Sequence, residues 1–342
     1  MQAASTQSNE ISGEAVQPAE ASPAPGSQSA LFCDMELPLS GFFYPLGYAV
    51  EIITNEPSIL LAAEQTFCHA RPTRQSSTLQ VRIGVTGGSN TACPPEPRRR
   101  AFNHLYSLVA DPENQALLDL KSATNFVWLT KAAINNVLYL RYNFLEKVVY
   151  LLLGATVVTD MHAACIGKHG KGILLCGDSG AGKSTLAYAC ARQGWTYTSD
   201  DTSYLINDSD PPRVTGHCHR ARFRPSSTLL FPELEGRPLT PRMEGKPSIE
   251  VPTAELPIRL TAESTVHSIV YLNRYRGAVA GLEKLPDGTA TQRARRELYS
   301  AGEIRAKHEV ILERLWRIPT YNLRYCDLED GVNMLDRLVR EI

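Results

Sequence analysis

The run Gly177-Asp178-Ser179-Gly180-Ala181-Gly182-Lys183-Ser184 fills every position of the Walker A pattern, and its flanks suit that reading. The apolar stretch Ile173–Cys176 leads in as a buried strand, and Lys183–Ala191 leads out as a helix. Glycines let such a loop curl until successive backbone N–H groups face inward, where the helix N-terminus adds partial positive charge. The implied ligand is a nucleoside triphosphate spanning Gly177 to Thr185. Lys183 is positioned to reach the β- and γ-phosphates, and the Ser184 hydroxyl to ligate Mg²⁺.

A second pair of residues could complete phosphoryl-transfer chemistry. Asp200 and Asp201 end the strand-like segment Trp195–Ser199, directly after the helix that leaves the loop. Many phosphate-loop ATPases place their metal-linked acid much farther along the chain. Two adjacent carboxylates at a strand end can divide the work, one holding Mg²⁺ and the other taking the proton of an attacking hydroxyl. Neighbouring strand residues point to opposite faces, so the two need not share a role.

These residues need a frame. Met161–Ile166 reads as a strand, Gly167–Gly172 as a turn, and Ile173–Cys176 as the return strand, a hairpin just upstream of the loop. Thr202–Ile206 reads as a continuation of the strand that ends in the acid pair. Earlier in the chain, Tyr48–Thr54 and Leu79–Val85 alternate at period two, while Leu129–Asn136 and Leu140–Leu153 carry helical spacing. Arg98–Arg100 precede an apolar segment that also reads as a helix. Near the C-terminus, Leu323–Leu338 reads as a closing strand and helix. The chain thus divides into a tail over residues 1–29, expected to be disordered, a small α+β domain over 30–158, and a phosphate-loop domain over 159–342.

Composition narrows the function classes. With 342 residues, 43% hydrophobic and 21% charged, the chain is of ordinary globular type. A net charge of -1 argues against a nucleic-acid or anionic-membrane surface. Residues 148–158 are apolar but too few to cross a bilayer. The eight scattered cysteines include no C-x-x-C pair, and Cys176 and Cys190 fall at core positions. This usage fits a reducing cytoplasm. No basic region followed by an apolar stretch opens the chain, so no signal peptide is expected.

His162, the hairpin, the loop Gly177–Ser184 and the strand ending Ser199-Asp200-Asp201 together resemble the catalytic core of HPr kinase/phosphorylase. That bacterial kinase family is structurally related to the phosphoenolpyruvate carboxykinases. The resemblance spans roughly residues 160 to 207. It implies an α/β fold with a P-loop core of the HPr kinase C-terminal/phosphoenolpyruvate carboxykinase-like type, preceded by a small α+β domain. It also implies ATP and Mg²⁺, phosphoryl transfer to a protein serine, and a homo-oligomer. By the same resemblance Asp200 or Asp201 is the base and the other lies near the metal, with Asp200 taken beside Ser184 as the Mg²⁺ ligand. His162 then orients the acid pair. Two positions depart from the family pattern: Ala163 replaces a glycine, and Thr185 replaces an acidic residue. The family's Glu-Ile-Arg-Gly-Leu-Gly signature has no residue-by-residue match in Glu244–Glu250. A kinase with an acceptor other than HPr follows, either a protein or a small molecule bearing a hydroxyl. A small-molecule kinase and a non-catalytic ATP sensor are the rival readings.

Weaker features complete the reading. Arg220, Arg222 and Arg224 share one face if extended, and are expected to form a solvated edge. His217 and His219 are not expected to bind metal, and Lys246 sits in a segment that could close over a nucleotide.

Overall fold

The computed structural model describes residues 35–67, 74, 78–240, 247–275, 277 and 279–342. The tail and Lys246 lie outside the described residues. The fold is mixed α/β, and the described residues form three sheets. Alternating apolar side chains in the first third of the chain build a seven-stranded sheet. Its order is Leu39–Phe43, Val50–Thr54, Leu79–Thr86, Thr124–Thr130, Asn114–Asp119, Leu105–Asp111 and Arg98–Phe102. The helix Pro57–Phe67 and a helical run from Lys131 to Thr156 pack against it. Ile52, Ile59, Val81, Ile83, Leu129, Phe144 and Leu152 form one buried cluster at this contact.

The segment after Arg98–Arg100 is not a helix. Arg98–Phe102 and Leu105–Asp111 are antiparallel strands, and the meander continues through Asn114–Asp119. Turn chemistry overrides the helical spacing. Asn103 takes a positive φ of 52° between the first two strands, and the Asp111 carboxylate accepts the backbone N–H groups of Glu113 and Asn114 at 2.9 and 2.8 Å.

The second sheet has ten strands. Its main path runs Arg259–Leu260, Thr196–Ser199, Ala163–Lys168, Lys171–Cys176, Glu263–Arg274, Arg213–Gly216, Ser203–Ile206 and Val158–Met161. Thr320–Tyr325 lies parallel to the far half of Glu263–Arg274, with Gly281–Lys284 beyond it. The expected hairpin is present: Lys171–Cys176 returns antiparallel to Ala163–Lys168. His169 and Gly170 both take positive φ, 54° and 76°, as a two-residue hairpin turn requires.

Two expected strands are each broken, at matching places. Ser203–Ile206 does not continue Thr196–Ser199. It pairs instead with Val158–Met161 and Arg213–Gly216, whereas Thr196–Ser199 pairs with Ala163–Lys168. The chain therefore shifts between strand partners at Asp200–Thr202, and the neighbouring chain does so at His162. Where the ladder is interrupted, side chains satisfy buried backbone groups. The Cys165 N–H donates to Ser199 Oγ at 3.1 Å, Ser203 Oγ donates to the Ala163 carbonyl at 2.9 Å, and the two hydroxyls are 2.6 Å apart.

The helix Lys183–Arg192 and the C-terminal helix Leu328–Glu341 pack together over this sheet. Val332, Leu335, Leu338 and Val339 recur at helical spacing and are all buried. Buried Trp195 donates to Asp336 at 3.0 Å, and Lys168 reaches the same carboxylate at 2.5 Å. That arrangement fastens the last helix to the strand leading toward the acid pair. The third sheet is small: Ser248–Pro252 lies between Arg220–Phe223 and Leu239–Thr240. Among the described residues no helix is long and apolar enough to cross a membrane.

Candidate active site

The strand Lys171–Cys176 is buried along most of its length and delivers the chain into Gly177. Three glycines then adopt positive φ: 144° at Gly177, 94° at Gly180 and 99° at Gly182. The Ala181 N–H donates to the Asp178 carbonyl at 3.0 Å, which closes the curl. Helix Lys183–Arg192 starts at Gly182 with no side-chain cap. Asp178, Ser179 and Gly180 are exposed, while Thr185 is half-buried in the first helical turn.

Gly182 is the position with least freedom to change. Besides its left-handed φ, a Cβ there would sit 3.1 Å from the Tyr325 hydroxyl. The left-handed region costs a non-glycine residue roughly 1–2 kcal/mol. Gly182→Ala is therefore expected to lower stability by about that amount. Chemical denaturation would read the effect, and unchanged stability would contradict this account of the loop.

Lys183 is buried. Its ammonium donates to the Gly177 carbonyl at 2.7 Å and to the Asp178 carbonyl at 3.3 Å, and it lies 2.9 Å from His162 Nε2. Burial pushes its pKa down, and the nearby Asp201 opposes that shift. The other ring nitrogen of His162, Nδ1, is 3.7 Å from Asp201 Oδ1. His162 thus links Lys183 to one of the acids, consistent with its place at the strand break.

Asp200 is tied to the loop by its main chain, while its side chain meets Arg222. Ser184 Oγ donates to the Asp200 carbonyl at 3.1 Å. The Asp200 carboxylate is buried and accepts the Arg222 N–H at 2.7 Å. Burial raises its pKa to about 6, against the lowering effect of the Arg222 N–H, with Asp201 adding to the rise. The sequence-identified residues Lys183, Ser184, His162, Asp200 and Asp201 therefore meet in one place, with the two carboxylates in different environments.

Two cavities flank the acid pair. The larger, about 570 Å³, is bordered by Asp200, Asp201, Tyr150, Tyr204, His217, Arg220 and Arg222, with part of its wall from residues 45–47 and 66–67. The smaller, about 340 Å³, lies toward His162, Asp201, Tyr271 and Glu297. Glu297 is exposed on its helix, and desolvation at the cavity raises its pKa against the influence of His162 and Lys183.

The arginine run differs from its sequence expectation. Arg220–Phe223 is an edge strand, but Arg220 and Arg222 are not simply solvated. Arg220 Nη1 lies 2.6 Å from Glu250 Oε1, and Arg222 Nη2 lies 3.0 Å from Oε2 of the same residue. Arg141 joins them at 3.1 Å and also holds Glu146 at 2.7 Å. A nearly buried carboxylate draws three guanidiniums inward because an unpaired charge would be costly there. Arg224 reaches the glycine loop, where its Nη2 donates to Ser179 Oγ at 3.3 Å. His217 is held between two tyrosines, with Tyr150 and Tyr204 hydroxyls each 3.3 Å from a ring nitrogen. Burial lowers its pKa to about 4, helped by Arg222 and Arg141.

Sequence reasoning did not identify Arg141, Glu250 or Glu297. The alternation of arginines was visible, but their partner lies about thirty residues downstream, with no local pattern connecting them.

No protein-family model matches the chain, and no curated protein matches it. Among solved structures, the Hpr(Ser) kinase/phosphatase from Coxiella burnetii aligns over 54% of this chain and 99% of its own, at 13% identity and a TM-score of 0.29. A superposition this loose does not transfer a function.

Proposed function

We propose that this chain is an ATP- and Mg²⁺-dependent phosphotransferase acting on a hydroxyl acceptor, built on a P-loop core of the HPr-kinase-like type. The observation that carries the reading is the meeting of the glycine loop, Lys183 and Ser184 with His162, Asp200 and Asp201 at the two strand breaks. The cradle suits a triphosphate. Its glycines take backbone angles that side chains disfavour, and the helix behind it begins uncapped, leaving its first amides available to phosphate oxygens.

The donor set also suits Mg²⁺, which takes few protein ligands, all oxygen, beside phosphates and water. Ser184 would hold it, with Asp201 on the same side. Bound there, Mg²⁺ supplies neutralisation of charge on the phosphate oxygens. This division exchanges the expected roles, since it takes Asp200 off the metal and makes it the base. Two features favour the exchange: Asp200 borders the larger cavity, and burial raises its pKa to about 6. Asp200 takes the acceptor's hydroxyl proton as that oxygen bonds to the γ-phosphorus. The β–γ bridging P–O bond breaks, its electron pair leaves on ADP, and Asp200 then passes the proton to solvent. Lys183 holds the phosphates, and His162 positions Asp201 against it.

The test is incubation of the full chain with γ-labelled ATP, Mg²⁺ and its native cell extract. Label should appear on an acceptor only with Mg²⁺, and Lys183→Ala should reduce it at least about a hundredfold, the scale of losing a preorganised charge. Undiminished labelling by Lys183→Ala would overturn the proposal. Slow hydrolysis with no labelled acceptor would favour a nucleotide sensor instead.

A further inference from the structure

The larger cavity has features that the phosphotransferase reading does not use. Its volume of about 570 Å³ falls within the range of small-ligand sites, about 300–1,000 Å³. Its wall is drawn from both halves of the chain: Pro45–Gly47 and Thr66–Phe67 from the first, and Asp200–Thr202 and Thr215–Arg222 from the second. A concave site of this volume is on the scale of a free small molecule.

The lining is chemically divided. At one boundary stand Asp200 and Asp201. At another stand Arg141, Arg220 and Arg222, three guanidiniums that share two carboxylates, Glu146 and Glu250. This group keeps one positive charge in excess, in a partly desolvated place where it acts strongly. Arg222 measures the separation. Its main-chain N–H touches Asp200, while its guanidinium lies 5.5 Å from the centre of the Tyr142 ring and beside Glu250. The two ends are thus about one arginine side chain apart. Between them Tyr150 and Tyr204 stack at 5.9 Å, with His217 edge-on to both. The three rings line the cavity and make part of its wall aromatic.

We infer that this cavity is the acceptor site, and that the acceptor is a small alcohol bearing an anionic group, its hydroxyl toward Asp200 and its phosphate or carboxylate toward Arg220 and Arg222. The inference rests on the phosphotransferase reading and narrows it from any hydroxyl acceptor to a small anionic one. The transfer chemistry is unchanged: the products are ADP and a phosphomonoester of the anionic alcohol. Guanidiniums suit this role because their planar fork matches carboxylate and phosphate oxygens.

The test splits the native cell extract by ultrafiltration into molecules below and above about 3 kDa, a size far below folded domains. The full chain is given γ-labelled ATP and Mg²⁺ with each fraction. Label is expected in the small-molecule fraction. The intact labelled species should elute from an anion-exchange resin later than a neutral alcohol's phosphomonoester such as glycerol phosphate, because it carries a second anionic group. Arg220→Gln should cut that labelling at least tenfold at low acceptor, and Arg220→Lys should restore part of it, while far-ultraviolet circular dichroism establishes that both variants are folded. Two controls separate a phosphate from a carboxylate: glycerol 3-phosphate and glycerate as competitors, with neutral glycerol as the comparator. Label confined to proteins would overturn the inference and leave the phosphotransferase standing, as would a small labelled species that elutes with the charge of a single phosphomonoester. Lys183-independent labelling would overturn the underlying reading instead.

Discussion

Asp200→Asn should yield a protein that is more stable than the parent and nearly inactive. The parent carboxylate is buried, and its pKa is raised to about 6 by that burial, with the neighbouring Asp201 adding to the effect. An acid whose folded-state pKa exceeds its unfolded value binds its proton more tightly when folded. Stability is therefore greatest below the ordinary aspartate pKa and declines as pH rises from about 4 to about 6. Above that window the buried charge costs about 3 kcal/mol, from about two pKa units at 1.36 kcal/mol each. Asparagine removes the charge but keeps an oxygen to accept the Arg222 N–H. Urea denaturation at pH 7.5 should show a gain of up to about 3 kcal/mol, and the gain should vanish near pH 4. Phosphoryl transfer should fall by roughly a hundredfold or more, the contribution of a positioned general base. In the parent, kcat/KM should rise with pH through an apparent pKa near 6. A destabilised variant, or one with unimpaired transfer, would refute this account of the residue. Stability lost to a group that chemistry needs is the expected trade at such a site.

Glu250→Ala should have the opposite character, with a large loss of stability. Burial by itself would raise the Glu250 pKa, but Arg141, Arg222 and Arg220 outweigh it and hold the carboxyl down at about 2. Its stabilising contribution is thus complete above the ordinary glutamate range and fades as pH falls from about 4.5 toward about 2. Removing the carboxylate leaves three guanidiniums crowded together, with Glu146 as a remaining counter-charge on Arg141. Breaking a buried pair from one side costs roughly 3–5 kcal/mol. The same substitution uncouples the segment bearing Arg141 from the small sheet bearing Glu250. Denaturation at pH 7 should show the full deficit, and the difference from the parent should shrink below pH 3. Glu250→Gln, which retains hydrogen-bonding atoms, should lose less. A deficit that is independent of pH would mean that packing rather than charge explains the effect.

What the sequence discloses here is local. The loop, the hairpin before it and the helix after it are written in contiguous residues, because glycine spacing and apolar runs report directly on backbone conformation. The acid pair was visible for the same reason. Its environment was not, since the Arg222 N–H that meets Asp200 comes from a strand in a different sheet. Likewise, the break between Ser199 and Ser203 depends on which strands become neighbours, a non-local choice that period-two alternation cannot encode. The meander at Arg98–Asp119 was misread because Leu105, Leu108 and Val109 also satisfy helical spacing, and the deciding signals were the turns at Asn103 and Asp111.

The strand Val158–Met161 has a wider consequence. It follows directly from the helix that packs on the seven-stranded sheet, yet it pairs with Ser203–Ile206 of the ten-stranded one, and Val158 and Tyr204 both join the first cluster of buried side chains. Melting of one half would therefore strip the other of an edge and wet its interior. The two halves should unfold in a single concerted transition, and any tilt between them would be geared straight to the acids.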